Sequence, residues 1–383
     1  GKVVIVGDNA PRFDHDPTTR ECKGLLLEES RTNLLSYSIP NSTWQVSQAT
    51  ITENAGIAPD GTNTAVLHSD NNTNNQHLLY TTATVSSGAN YVITSYLKQP
   101  SSNSRRYYSM TIHGLGYIIF DVQNGTVHNA SGTGIIGATS TAVGNGWYRV
   151  KAHYVTNNTT GNIYWLPIAD NGVDVVYTGA STAQGMLIWG CQLEASTFET
   201  SYIPTSGSTV TRGLDLTTVE GTDFSNAFGT EFKEFSLVAD YDNTTTIDGN
   251  SYGIIDLWGE STGYDHRIEW FKDDSSPYHI ETRAFGGGNA LFNNGNLSAS
   301  SKAKSQRFAT SWSVPDYSNT SSRRFVVSMG GEAVDVIADN TGTTVPQITR
   351  MGIGCNPTRL DFSGGVLHFK RLMVYNKTLS DGQ

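Results

Sequence analysis

The stretch Trp147-Tyr148-Arg149-Val150-Lys151-Ala152-His153-Tyr154-Val155 sets Val150, Ala152 and Tyr154 alternately against Arg149, Lys151 and His153. Successive side chains of a β-strand point to opposite faces, so this alternation predicts a strand with one face in a core. YVITSYL at 91–97, YIIFDV at 117–122 and MLIWGCQL at 186–193 have the same β-branched and aromatic character. Asn-Gly turns at 124–125 and 145–146 separate such runs. They supply the positive φ that tight hairpins require. The spacing predicts a jelly-roll-like meander over residues 41–204.

A second series begins with FSLVADY at 235–241 and continues through YGIIDL (252–257), HRIEWF (266–271), RFATSW (307–312), RFVVSM (324–329) and VLHFKRLMVY (366–375). PTSGST at 204–209 has linker composition, which places a linker at 205–216 and a second module at 217–383. Residues 1–40 fit neither series. Within them GLLLE (24–28) reads as a strand and RTNLL (31–35) as its continuation, either an edge strand or an inter-subunit strap. No window of twelve or more residues carries a helical apolar stripe with caps. The expected fold is all-β: two antiparallel β-sandwich, jelly-roll-like modules in tandem with an N-terminal strap.

Composition agrees. A length of 383 residues exceeds the roughly 250–300 at which one core stops growing. Charged residues are 16% of the chain, below the roughly 25% of an average domain. No stretch approaches the roughly 18 apolar residues of a membrane span, so membrane insertion is not expected. A net charge of −10 repels phosphate backbones, and Arg105-Arg106 and Arg323-Arg324 stand apart, so nucleic acid is not expected as a partner. Cys22, Cys191 and Cys355 have no metal-ligand spacing and are expected as buried free thiols. Ser380 and Asp381 would cap a helix whose residues do not follow, which reads as a fragment or processed form of a longer polypeptide.

PRFDHDP (11–17), followed by GLLLEESRTNLL (24–35), resembles a recurrent segment of tailed-bacteriophage structural proteins of the tail-fibre, tail-spike and virion-appendage type. That family also carries WYRV, here Trp147–Val150, then G-x-Q-L-E, here Gly190–Glu194, then TSYIPT at 200–205 and an arginine, here Arg212; all occur in order. VPQITRMGIG (345–354) and the strand ending at Tyr375 resemble a concanavalin A-like or laminin-G-like sandwich. The resemblance implies a virion location in a tail or capsid appendage, other virion proteins as partners, a homo-oligomer with a trimer favoured, and host-surface carbohydrate as ligand. Fold analogy alone does not fix function.

Catalysis is not expected. Asp256-Leu257-Trp258-Gly259-Glu260 is the closest carboxylate cluster, but Ile254 stands where a sandwich glucanase needs its nucleophile. A lyase would recruit His266 or His279 with Tyr264 or Tyr278. A tail-spike depolymerase is therefore the alternative, and a purely structural spacer or head decoration the third reading. No cofactor is expected, with Asp240, Asp242 and Asp248 as weak Ca²⁺ candidates beside an Asn/Thr-rich loop. Sugar rings stack on aromatic faces, which makes Trp258, Tyr264, Trp270 and Tyr278, with Tyr107 and Tyr108 in the first module, the expected carbohydrate contacts. Trp147, Trp189 and Trp312 are expected in cores.

Overall fold

The Trp147–Val155 strand runs antiparallel between Asn90–Lys98 and Ile135–Gly144, with Val150, Ala152 and Tyr154 buried. It belongs to a computed structural model that describes residues 2–7, 10–157, 159–180, 182, 184–230, 232–243, 252–259, 266–272, 280–286, 289–297, 305–316, 319, 322–329, 335–336, 348–354 and 366–379. Two compact units divide the chain, one of Gly1–Gly7, Asp16–Arg20 and Arg31–Arg212, the other of Asp8–His15, Glu21–Ser30 and Gly213–Gln383. The opening forty residues are thus shared between the units.

The first unit is a sandwich of two six-stranded antiparallel sheets. One has the order Ile135–Gly144, Trp147–Val155, Asn90–Lys98, Gly185–Glu194, Ala65–Asp70, Ala49–Gly56. The other has the order Thr126–Ser131, Tyr117–Asp121, Tyr107–Ile112, Thr160–Ile168, Leu78–Thr84, Gln45–Ser47. Inward residues such as Leu79, Tyr108, Phe120, Trp165, Ile188 and Leu193 fill the space between them. In the second unit, one sheet runs Phe13–His15, Cys22–Glu28, Val366–Tyr375, Glu234–Asn243, Ser305–Ser313, Arg324–Met329, Asp335–Val336. A second, six-stranded sheet is built around Tyr252–Trp258 and His266–Lys272. One short helix, Gly221–Phe228, escaped the sequence reading because eight residues are too few for a periodic signal; it buries Phe224 and Phe228, one turn apart.

A bulge organises the first sandwich. Between Trp189 and Gln192 the register against Asn90–Lys98 shifts, and Gly190 adopts φ +62° with the Tyr96 ring 2.9 Å from where a Cβ would lie. Past Ile188 the Ala65–Asp70 strand no longer pairs, and residues 33–38 take its place. Leu34 N donates to Leu193 O at 2.8 Å, and Cys191 N donates to Ser38 O at 2.7 Å. The fully buried Asn33 amide donates to Cys191 O (3.3 Å) and Ile203 O (2.9 Å) and accepts from the backbone N–H of Leu193 (3.1 Å) and Leu35 (3.2 Å). Gln192 Oε1 accepts from Ile203 N (2.7 Å), and Glu194 accepts from both the N–H (3.1 Å) and the hydroxyl (2.6 Å) of Thr200. Ser38 Oγ accepts from Thr205 N at 2.9 Å. RTNLL, GCQLE and TSYIPT are therefore one buried clamp.

The opening motif does the same in the second unit. Arg12 pairs with Glu28 at 2.7 Å and with Asp215, whose Oδ2 also accepts from Glu28 N at 2.7 Å. Asp14 lies 3.0 Å from His368 Nε2. Gly24 adopts φ +108° where the backbone passes close to the Phe369 carbonyl, leaving no room for a Cβ. Cys22 is exposed, against the expectation of a buried thiol, because it begins the strand Cys22–Glu28, whose outer neighbour is only three residues long; Cys191 is buried, and Cys355 lies outside the described residues.

Two predictions follow from these interiors. Asn33→Ala leaves buried backbone groups unsatisfied at about 1–3 kcal/mol each, so urea denaturation should show a loss of at least about 3 kcal/mol. His68 is fully buried, bonded to the Tyr108 hydroxyl at 2.7 Å, with no partner for Nε2 among the described residues. Burial first, and the nearby His77 second, lower its pKa from 6.5 to about 3. The unfolded chain then binds the extra proton between those values, so stability is full above pH 6.5 and falls as pH drops toward 3. His153, also lowered by burial, adds in the same direction, while the buried Glu194, whose pKa burial raises, opposes it from the ordinary carboxylate value upward. His68→Phe should flatten the pH 4.5–6.5 limb of a stability–pH curve measured by thermal unfolding; an unchanged limb would show that His68 is not its source.

Candidate functional site

The sheet that carries Tyr107–Ile112 and Thr160–Ile168 turns Leu79, Tyr108, Ile118 and Trp165 into the core. Strand alternation sends their neighbours Leu78, Tyr80, Tyr107, Tyr117, Tyr164 and Leu166 to the opposite face. On that face Gln45, Tyr80, Tyr164 and Thr111 stand opposite one another across four strands, and Tyr117, opposite Ser131, is next along. Tyr80, Tyr164 and Tyr117 are half-buried. They form a row of tyrosines across the strands.

The rings are set at angles. Tyr80 and Tyr164 lie 5.3 Å apart with their planes at 63°, and the exposed His113 meets Tyr164 edge-on at 5.7 Å. Thr82 Oγ1 donates to Asn162 Oδ1 (2.8 Å), whose Nδ2 donates to the Tyr164 hydroxyl (3.2 Å). With its oxygen accepting, the Tyr164 proton is left to donate outward. Gln76 Nε2 donates to the Tyr117 hydroxyl at 2.9 Å.

One end of the face is walled. Tyr177–Thr178 pairs with Asn74–Asn75, and Val175, like Leu78, Tyr117 and Tyr164, packs against Tyr107, Ile119, Leu166 and Ile168. A buried ion pair holds this wall: Arg105 Nε donates to Asp70 Oδ2 at 2.8 Å, and its Nη1 donates to the exposed Asp170 at 2.9 Å. The guanidinium also lies 4.8 Å over the Tyr177 ring, whose hydroxyl donates to Asp70 at 3.2 Å. Burial, the largest cause, raises the Tyr177 pKa well above 10.

Most residues singled out from sequence lie elsewhere. Trp258 is 5% exposed and Trp270 fully buried, the latter against Phe308 and Phe325, so neither offers a ring to a sugar. Tyr108 faces the core, and Tyr107, though on the tyrosine face, is buried beside His128 with Arg106 over its ring. Tyr264, Tyr278, His279, Glu260 and Asp248 fall outside the described residues, as does the side chain of His266. Ile254 and Asp256 are buried. Asp240 is engaged by Arg307 (2.9 Å) and Arg371 (3.4 Å), and Asp242 by Lys370 (2.7 Å), so these carboxylates neutralise cations of their own sheet instead of facing a calcium ion. Among the described residues no group of three or more His, Cys, Asp or Glu is placed to hold a metal. Trp147, Trp189 and Trp312 are buried.

Sandwich and face together define an all-β protein of antiparallel β-sandwiches that carries, among the described residues, a tyrosine-bearing sheet surface. No protein-family model and no curated protein match the chain. Among solved structures it is similar to the CBM40 of Ruminococcus gnavus IT-sialidase bound to α2,3-sialyllactose, with 13% identity, 39% of this chain and 79% of that one covered, and a TM-score of 0.29. It is also similar to mouse laminin α1 chain domains LG4-5, with 11% identity, 82% and 93% covered and a TM-score of 0.27. The CBM22-1–CBM22-2 tandem of Paenibacillus barcinonensis Xyn10C shares 9% identity over 91% of this chain and 98% of that one, with a TM-score of 0.28.

Arg105→Met would strand the fully buried Asp70 carboxylate, and urea denaturation should show a loss of about 3–5 kcal/mol. Asp170→Ala, which removes only the solvent-exposed partner, should cost less than about 1 kcal/mol.

Proposed function

We propose that this chain is a non-enzymatic glycan-recognition component of a bacteriophage particle, carried in a tail fibre or capsid fibre, and that the tyrosine face of the first sandwich is where host-surface carbohydrate binds. The observation that carries the glycan reading is the row of half-buried Tyr80, Tyr164 and Tyr117, flanked by the amides of Asn162 and Gln76. Aromatic rings present apolar faces to sugar C–H groups, while amides and hydroxyls meet the sugar's own hydroxyls. The phage assignment is supported by the PRFD, GLLLE, RTNLL, WYRV and TSYIPT segments. A homotrimer is part of the proposal: the sandwich has edge strands at Ala49–Gly56 and Ile135–Gly144, and cyclic assembly is one way to cover such edges.

The chain should bind host cells or their isolated surface polysaccharide in a pull-down, and Tyr164→Ala should weaken that binding about tenfold, or about 1.4 kcal/mol. Incubation with the polysaccharide should release neither new reducing ends nor unsaturated uronates. Antibody-labelled particles should show the chain on an appendage, with a trimeric mass in sedimentation. A chain that ignores host glycans and is absent from particles would sink the proposal, and released products would replace it with a depolymerase.

A further inference from the structure

Among the described residues, the open part of the tyrosine face presents Tyr80, Thr82, His113, Tyr117, Asn162 and Tyr164, none of them a carboxylate or a permanently charged cation. The charged pair at its covered end is closed on itself, since Arg106 Nε and Nη2 donate to the two Asp121 oxygens at 3.1 and 2.7 Å. That pairing also holds the Asp121 carboxyl below its usual pKa. In the wall, Arg105 is committed to Asp70 and Asp170, and the exposed Asp174 adds negative charge. A sugar carboxylate or sulfate docked on the open part would lose water, find the nearest permanent cation, the part-exposed Arg106, already paired with Asp121, and approach a chain of net charge −10.

We infer that this face selects uncharged oligosaccharides over anionic ones, and that the sugar chain lies across the strands along the Tyr80–Tyr164–Tyr117 row. The inference rests on the glycan-binding reading above and specifies its ligand class. Direction comes from register. Tyr80 and Tyr164 are directly opposed, and Tyr117 lies two strands beyond Tyr164, with the small, buried Thr111 between them. At about 4.8 Å per strand the row spans roughly 14 Å, the reach of a short oligosaccharide and more than one ring occupies. Thr111 turns its hydroxyl to Gly116 O at 2.7 Å and is itself buried, so the contact surface along the row is carried by the three rings. Angled Tyr80 and Tyr164 receive one sugar, and Tyr117, held by Gln76, receives another. In this scheme Tyr164 gives its hydroxyl proton to a sugar oxygen while Asn162 donates to it.

Calorimetry on the full chain tests this with gluco-, galacto- and manno-configured neutral oligosaccharides of increasing length, against oligouronates and sialylated lactose. Affinity for at least one neutral series should rise at least tenfold from the monosaccharide and then level off, and change less than twofold between low and high salt. Tyr164→Ala and Tyr117→Ala should each lower it about tenfold with an unchanged circular dichroism spectrum. Tyr164→Phe, which keeps the ring, should retain most of the affinity and report the hydroxyl contribution separately. Tighter binding of an anionic series, lost in Tyr164→Ala, would overturn the ligand class and leave glycan recognition standing. Absence of binding across both panels, or binding indifferent to both alanine variants, would overturn the face as a glycan site.

Discussion

The first sandwich depends on one buried amide. The bulge at Gly190 lets the long Gly185–Glu194 strand change register, but it leaves backbone groups of 191–193 without ladder partners in the interior. Asn33 supplies two donors and an acceptor at that point, and no apolar side chain of similar size could do so. Because the same amide also holds Ile203 O and Leu35 N, three distant chain segments must converge before any of them is satisfied. Leu35, Cys191 and Leu193 are then buried together in the core. In the second unit the Arg12–Glu28–Asp215 group plays the corresponding part for a strand added from the far N-terminal end of the chain.

The open face is a consequence of how the sandwich is covered. Each sheet needs only one buried face, so the other is free to carry whatever the strands place there. The loop held by Arg105 and Asp70 packs Val175 on Leu166, Ile168 and Tyr107 at one end, where Tyr117 and Tyr164 join the same apolar cluster and Gln76, next to the wall strand, bonds Tyr117. The buried ion pair thus holds the wall in place beside the face. A site of this kind joins a rigid floor, set by strand register, to a wall set by electrostatics.

Strand character was legible because alternation at 147–155 and the apolar runs around it have one physical reading, and both sandwiches follow from it. Facing was not. In Tyr107-Tyr108 and Tyr164-Trp165 adjacent aromatics point to opposite sides, and only the register against Phe120 and Leu79 decides which faces the core. Trp258 and Trp270 looked accessible because turns lie near them in sequence, yet their strands are central to their sheet, Trp270 points into the core, and both Leu257 and Trp258 are buried. Tyr80 and Tyr117 carried no local signal at all. Their common property is a shared row across strands far apart in sequence, which exists only once the sheet is assembled.

The segments that carry the phage-type resemblance and the residues of the tyrosine face scarcely overlap. Arg12, Glu28, Asn33, Gln192, Glu194 and Thr200 are engaged with one another or with backbone, each inside its own unit. Such residues constrain which architectures the chain adopts, since any substitution leaves a buried partner unsatisfied. Tyr80, Asn162, Tyr164 and Gln76 are half-buried and bonded or packed mainly within the face itself, with Tyr164 also against the Leu166–Ile168 cluster, so replacing them chiefly alters the surface of that sheet. Two chains sharing every motif named above could therefore present different rings and amides on this face and bind different sugars. Architecture and the proposed specificity rest on separate groups of residues: the motifs build a scaffold, and the glycan reading rests on the row of side chains that the scaffold carries.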